Sequence, residues 1–130
     1  MTDFLPHFSR NELACPTTGE VRLQPGFGEA LEDLRAAHGR PMRITSACRS
    51  GAHNRRIRGH ERSLHLIGNP VHGTDSCAVD VAIGDGGERL RLLTAALRGG
   101  WSVGVASSFL HLDLRVRYTA LPQVVYHYAR

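Results

Sequence analysis

The sequence predicts an α+β fold, built as a small, largely antiparallel sheet with flanking helices. Two stretches carry apolar residues at helical spacing opposite charged ones, and four others read as strands by length and alternation. These elements follow the order helix, strand, loop, strand, helix, strand, strand, which suits one layer of sheet covered by helices.

Taken along the chain, Ser9-Arg10-Asn11-Glu12 matches a capping box and predicts a short helical turn before Cys15. Pro16 and the Thr17-Thr18-Gly19 that follow end it. From Gly26 to about His38, Phe27, Ala30, Leu31, Leu34 and Ala37 recur at helical spacing opposite Glu29, Glu32, Asp33 and Arg35. Gly39 closes this amphipathic helix. Pro41 then introduces a strand over Met42–Cys48.

Residues 49–77 lack a periodic apolar pattern and read as a long loop with room for a short helix. Loops of this length are uncommon in a compact domain unless they are functional. Ala78–Ile83 reads as a strand and Glu88–Arg98 as a second amphipathic helix, stopped by Gly99-Gly100. Trp101–Ala106 and Phe109–Arg115 read as two strands of a hairpin joined at Ser107-Ser108. The tail YTALPQVVYHYAR either adds an edge strand or packs across the surface.

At 130 residues, the chain is expected to form a single domain, 1–130, with a real hydrophobic core. No apolar run approaches the roughly 18 residues of a membrane span, so stable membrane insertion is not expected. The N-terminal MTDFLPHFSRNELAC shows no basic-then-apolar secretory pattern. Three cysteines, at 15, 48 and 77, argue by their odd number against a disulfide framework while leaving one bridge and one free thiol open, and none forms CxxC. The net charge is +4, and all sixteen basic residues are arginine. Such a surface favours polyanions without choosing among them. The cluster Arg49, Arg55, Arg56, Arg58 and Arg62 lacks the interleaved aromatics of a nucleic-acid stacking platform. It reads instead as the rim of a cleft for an acidic peptide, with no nucleic-acid partner expected.

Strand alternation selects the chemistry. In Phe109-Leu110-His111-Leu112-Asp113-Leu114-Arg115 the leucines share one face, and His111 and Asp113 share the other, about 7 Å apart. In Ala78–Ile83 the same alternation buries Val79, Val81 and Ile83 and turns Asp80 the other way, between two alanines. Two histidines and a carboxylate, with a fourth position open to water, form a catalytic zinc arrangement. Solvated strand residues are the plain alternative on spacing alone.

The ordered set ITSACRS, Ser63-Leu64-His65, Ala78-Val79-Asp80-Val81 and FLHLD, preceded by FSRNELACPTTGE, resembles the M15 family of zinc peptidases. That group is D-Ala-D-Ala carboxypeptidase-like and shares its fold with the hedgehog signalling domain. The resemblance runs from Phe8 to about Arg115. It implies a hedgehog- or DD-peptidase-like fold, Zn²⁺ as cofactor, and His65, Asp80 and His111 as metal ligands. The gap from His65 to Asp80 is wider than the family's usual spacing, so His72 competes for the first position, although it lacks the preceding serine. Asp113 is then the expected general base or water-orienting residue. The acid that other branches carry just before the last ligand strand is missing from GWSVGVASS. Arg49 resembles the family's substrate-side arginine, expected to hold a carboxylate or stabilise the oxyanion, and Ser63 is expected to bond backbone or substrate.

The activity implied is hydrolysis of an amide bond in the stem peptide or cross-link of bacterial peptidoglycan. The size and the missing secretory pattern resemble a bacteriophage endolysin or tail murein peptidase. Such an enzyme is made in the bacterial cytoplasm, acts on the cell wall or within a virion, and is expected to be a monomer. A non-catalytic, zinc-stabilised wall-binding or virion protein is the alternative.

Overall fold

The computed structural model describes residues 4–128; the last two residues of the predicted tail lie outside them. Ten elements follow in order: α1 (Arg10–Leu13), α2 (Phe27–His38), β1 (Ile44–Ser46), α3 (Gly51–Arg56), β2 (Ala78–Ala82), α4 (Gly86–Arg98), β3 (Ser102–Val105), β4 (Phe109–Asp113), α5 (Arg115–Tyr118) and β5 (Val125–His127). The strands form one sheet in the order β1-β2-β4-β3-β5. All pairings are antiparallel except β3 with β5, which is parallel, so the sheet is mixed. The expected α+β class therefore holds, and the tail supplies the parallel edge strand.

One sheet face carries the hydrophobic core. Val79, Val81, Val103, Leu110 and Leu112 are buried there, together with Phe27, Leu31 and Leu34 of α2 and Leu92 and Ala96 of α4. Phe27 meets the edge of Trp101, with ring centroids 5.5 Å apart. The α1 capping box is present: Glu12 N–H donates to Ser9 Oγ, and Ser9 N–H to Glu12 Oε1. Helix α4 begins earlier than its apolar pattern suggests because Asp85 caps it, accepting from Glu88 N–H at 2.7 Å.

The opposite face is also buried, which alternation alone does not reveal. Asp80 and His111 are each 5% exposed, and Asp113 is fully buried. The loop that alternation leaves to solvent is drawn in beside the sheet, with Leu64, His65 and Leu66 buried. Arg49 and Leu66 form an isolated parallel bridge that anchors it. Further along, Asn69 stitches the loop: its amide donates to the carbonyls of Arg62 and Ser63, and its Oδ1 accepts from Val71 and His72 N–H. The short helix allowed for in this loop is α3, capped by Ser50, which accepts from His53 N–H.

Strand β4 stops at Asp113 rather than running to Arg115. Asp113 Oδ1 accepts from Arg115 N–H at 3.0 Å, a local side-chain bond that turns the backbone out of the ladder and into α5.

Candidate metal centre and cleft

The sheet register builds the site. Ser46, Asp80, His111, Gly104 and Tyr126 are cross-strand partners in one row over β1, β2, β4, β3 and β5. Directly opposite residues project to the same face. Asp80 and His111 therefore meet without any long side chain reaching for its partner: Asp80 Oδ1 lies 3.0 Å from His111 Nδ1. His65 comes from the loop, and its Nε2 lies 3.1 Å from the same oxygen.

The other nitrogen of each imidazole is already committed. His65 Nδ1 lies 2.7 Å from the carbonyl of Ala47. A carbonyl only accepts, so Nδ1 carries the proton and Nε2 presents its lone pair. His111 Nε2 donates to Asp113 Oδ2 at 2.8 Å, which leaves Nδ1 facing Asp80. Backbone carbonyls and carboxylates holding the outer nitrogen are the usual support of metal-ligating histidines.

The same contacts set the charges of the cluster. Burial pushes the Asp80 carboxyl up, but His65 and His111 outweigh it and hold the group well below the usual carboxylate range. Asp113 is likewise raised by burial and held far down by His111 and Arg115. Burial lowers His65, whereas His111 is lifted against burial by Asp113 and Asp80. Both carboxylates thus stay ionised beside the imidazoles. One atom each from His65, Asp80 and His111 lies within 4.8 Å of the others, all from buried residues. Two imidazole nitrogens and a carboxylate oxygen suit a divalent transition metal and leave a fourth position for water or substrate.

His72 is not in this cluster; it lines the adjoining cleft. That cleft has a volume of about 720 Å³. Arg58, His60, Arg62 and Ser63 line it from the loop, His111 and Asp113 from β4, and Tyr126, His127 and Tyr128 from the chain's end. A second groove, of about 610 Å³ between α2 and α4, is lined by residues such as Leu34, Arg91 and Trp101 and contains none of the donors. We assign function to the first because chemistry, not volume, distinguishes them.

The remaining expected site residues fall as follows. Ser63 Oγ accepts from His65 N–H at 3.2 Å, holding the backbone of a donor residue. Arg49 is 4% exposed; its Nη2 donates to Asp80 Oδ2 at 3.4 Å, its Nε to Ser46 Oγ at 3.1 Å and its Nη1 to Asn54 Oδ1 at 3.4 Å. Its guanidinium is thus turned onto Asp80 instead of outward to substrate. Both Asp113 oxygens are taken, Oδ1 by Arg115 N–H and Nε–H, Oδ2 by His111 and Arg115 Nη2.

Sequence reasoning singled out neither His60 nor His127, yet both stand in the cleft wall. It also missed Tyr126 and Tyr128. Burial pushes the Tyr126 hydroxyl up to about 12, so it remains a phenol. The Arg115 guanidinium lies 5.3 Å from the centre of the Tyr126 ring. The signal available was Gly104, a gap in the His111 face, together with the Tyr-x-Tyr alternation of the tail.

A buried His-Asp-His donor set on an α+β sheet, with His111 also lining the adjoining cleft, is an arrangement that metallohydrolases use. A protein-family model described as Peptidase M15 matches residues 6–113, and the chain belongs to that family of metallopeptidases. Comparison with curated proteins and with solved structures gave no match.

Proposed function

We propose that this peptidase is zinc-dependent and hydrolyses an amide bond in the stem peptide or cross-link of bacterial peptidoglycan. The observation that carries the reading is the convergence of His65 Nε2, His111 Nδ1 and Asp80 Oδ1, each supported from behind. When bound, zinc supplies Lewis-acid polarisation of the scissile carbonyl and acidification of a water molecule.

The chain's own residues do the rest. Ser63 and the Ala47 carbonyl fix His65. Asp113 orients His111, and Arg49 holds the rear oxygen of Asp80. Those contacts favour positioning roles for Asp113 and Arg49 over the direct proton transfer and substrate anchoring expected from sequence. Substrate meets a wall carrying Arg58, Arg62, His60 and His127, which suits the carboxylates of an acidic peptide. Among the described residues no helix is long and apolar enough to cross a membrane, which is compatible with action on a wall polymer.

The experiment is mass spectrometry of soluble fragments released from purified peptidoglycan, with and without a zinc chelator. Chelator-sensitive new amino termini are expected, and their masses identify the bond. A zinc-loaded chain that releases nothing is a wall-binding or virion protein instead.

A further inference from the structure

The family match ends at Asp113, yet the strand that walls the metal centre lies beyond it. Gly104 stands between His111 and Tyr126 in the cross-strand row. A Cβ at 104 would sit 2.8 Å from Tyr126 Cζ and Tyr128 Cδ2 and 2.9 Å from Tyr126 Oη. Both tyrosine rings therefore occupy the space that a side chain at 104 would fill. Tyr128 stacks on His111, with centroids 5.3 Å apart and planes 26° apart. Phe109, also 5.3 Å away, meets the Tyr128 ring edge-on.

This stack supplies a restraint beside the hydrogen bonds. The His111 ring turns only about its Cβ–Cγ bond, and Asp113 steadies it from Nε2. A turn about that bond carries Nδ1 out of its place beside Asp80 Oδ1 and the His65 ring. A face-on aromatic neighbour stands in the path of the turning ring and opposes the motion.

We propose that Tyr128 is a positioning residue of the metal centre, fixing the His111 ring plane by stacking in a seat that glycine at 104 leaves open. The inference rests on the metal reading above but not on peptidase turnover. The test is zinc affinity of the full chain, by competition with a chromophoric chelator, for wild type, Tyr128→Phe, Tyr128→Leu and Gly104→Ala. Tyr128→Phe should keep wild-type affinity, while Tyr128→Leu and Gly104→Ala should weaken it on the order of tenfold. Heat denaturation of the zinc-free proteins separates the roles, because a merely structural tyrosine lowers melting and leaves the affinity of the folded protein unchanged. Should Tyr128→Leu not fold, Tyr128→Phe against Gly104→Ala gives the same comparison. Equal affinity in the folded variants overturns the proposal. A wild-type chain that binds no zinc overturns it together with the metal reading. A chain that binds zinc tightly but releases no fragments overturns only the peptidase reading.

Discussion

Asp80 faces His111 across the β2–β4 ladder, and its two oxygens do different work. Oδ1 lies 3.0 Å from His111 Nδ1 and 3.1 Å from His65 Nε2, while Oδ2 accepts from the buried Arg49 at 3.4 Å. One carboxylate thus serves the donor cluster in front and neutralises an arginine behind. The carboxylate remains ionised where burial alone would protonate it because His65 and His111 favour its charged form. It also couples the metal site to the stability of the fold.

Asp80→Asn is therefore expected to do two kinds of damage. Zinc binding should fall by at least tenfold, and the zinc-free protein should lose about 3–5 kcal/mol, because Arg49 is left charged, buried and short of its partner. Urea denaturation in chelator measures the second effect apart from the first. The double variant Asp80→Asn with Arg49→Met should recover part of the loss, as expected for a direct pair. A loss under about 1 kcal/mol would show that Ser46 and Asn54 satisfy Arg49 by themselves.

Asp113→Asn discriminates between orientation and proton transfer. If Asp113 orients His111, zinc affinity should fall about 10–100-fold, and turnover should return when zinc is raised to saturation. A general base gives the opposite pattern: affinity close to wild type and turnover lost at every zinc concentration. Zinc competition and initial rates on peptidoglycan fragments, run on the same preparation, decide it.

The two strands and the facing of Asp80 and His111 were legible because a period-two pattern fixes which side chains share a face. His65 was pointed to only by the family resemblance of Ser63-Leu64-His65; the structure sets its Nε2 3.1 Å from Asp80 Oδ1 despite the long gap, with Asn69 folding the intervening segment into its own loop. The direction of Arg49 and the partners of Asp113 were not legible. Each depends on where a side chain turns once a loop has covered the sheet, and no local spacing encodes that. Tyr126 and Tyr128 were not legible for a related reason. Their partner is a glycine on a strand whose pairing with the tail is parallel and non-local.

Gly59 gives a prediction about the loop that carries Arg49's support. A Cβ there would collide with Asn54 Oδ1 and lie 3.3 Å from Arg49 Nη1. Asn54 in turn donates to the carbonyl of His60 at 2.9 Å. Gly59→Ala must push Asn54 off the guanidinium, so a loss of about 1–3 kcal/mol is expected by denaturation. Gly86→Ala, in open space at the start of α4, is the control and should stay within about 0.5 kcal/mol of wild type. Equal effects at the two positions would mean that the loop yields without strain.

Cys15 carries the last prediction, on pH. Burial raises its thiol, but hydrogen bonds from the Thr18 hydroxyl, the Ser50 N–H and Thr17 outweigh it and bring the group down to about 5. The Ser50 N–H donates to Sγ at 3.3 Å. Cys48 and Cys77 are pushed the other way by burial, Cys77 to about 12. All three are free and buried. Near neutral pH, the folded chain should thus hold one thiolate and two thiols, visible as a single thiolate absorbance step absent from Cys15→Ser. The folded value lies below the ordinary 9.0. The stabilisation it brings is complete above about pH 9, declines as pH falls, and is gone below about pH 5. The stability gap between wild type and Cys15→Ser should therefore widen steadily from pH 5 towards pH 9 in urea denaturation. Parallel curves across that window would mean that the cradle holds a neutral thiol and only packs it.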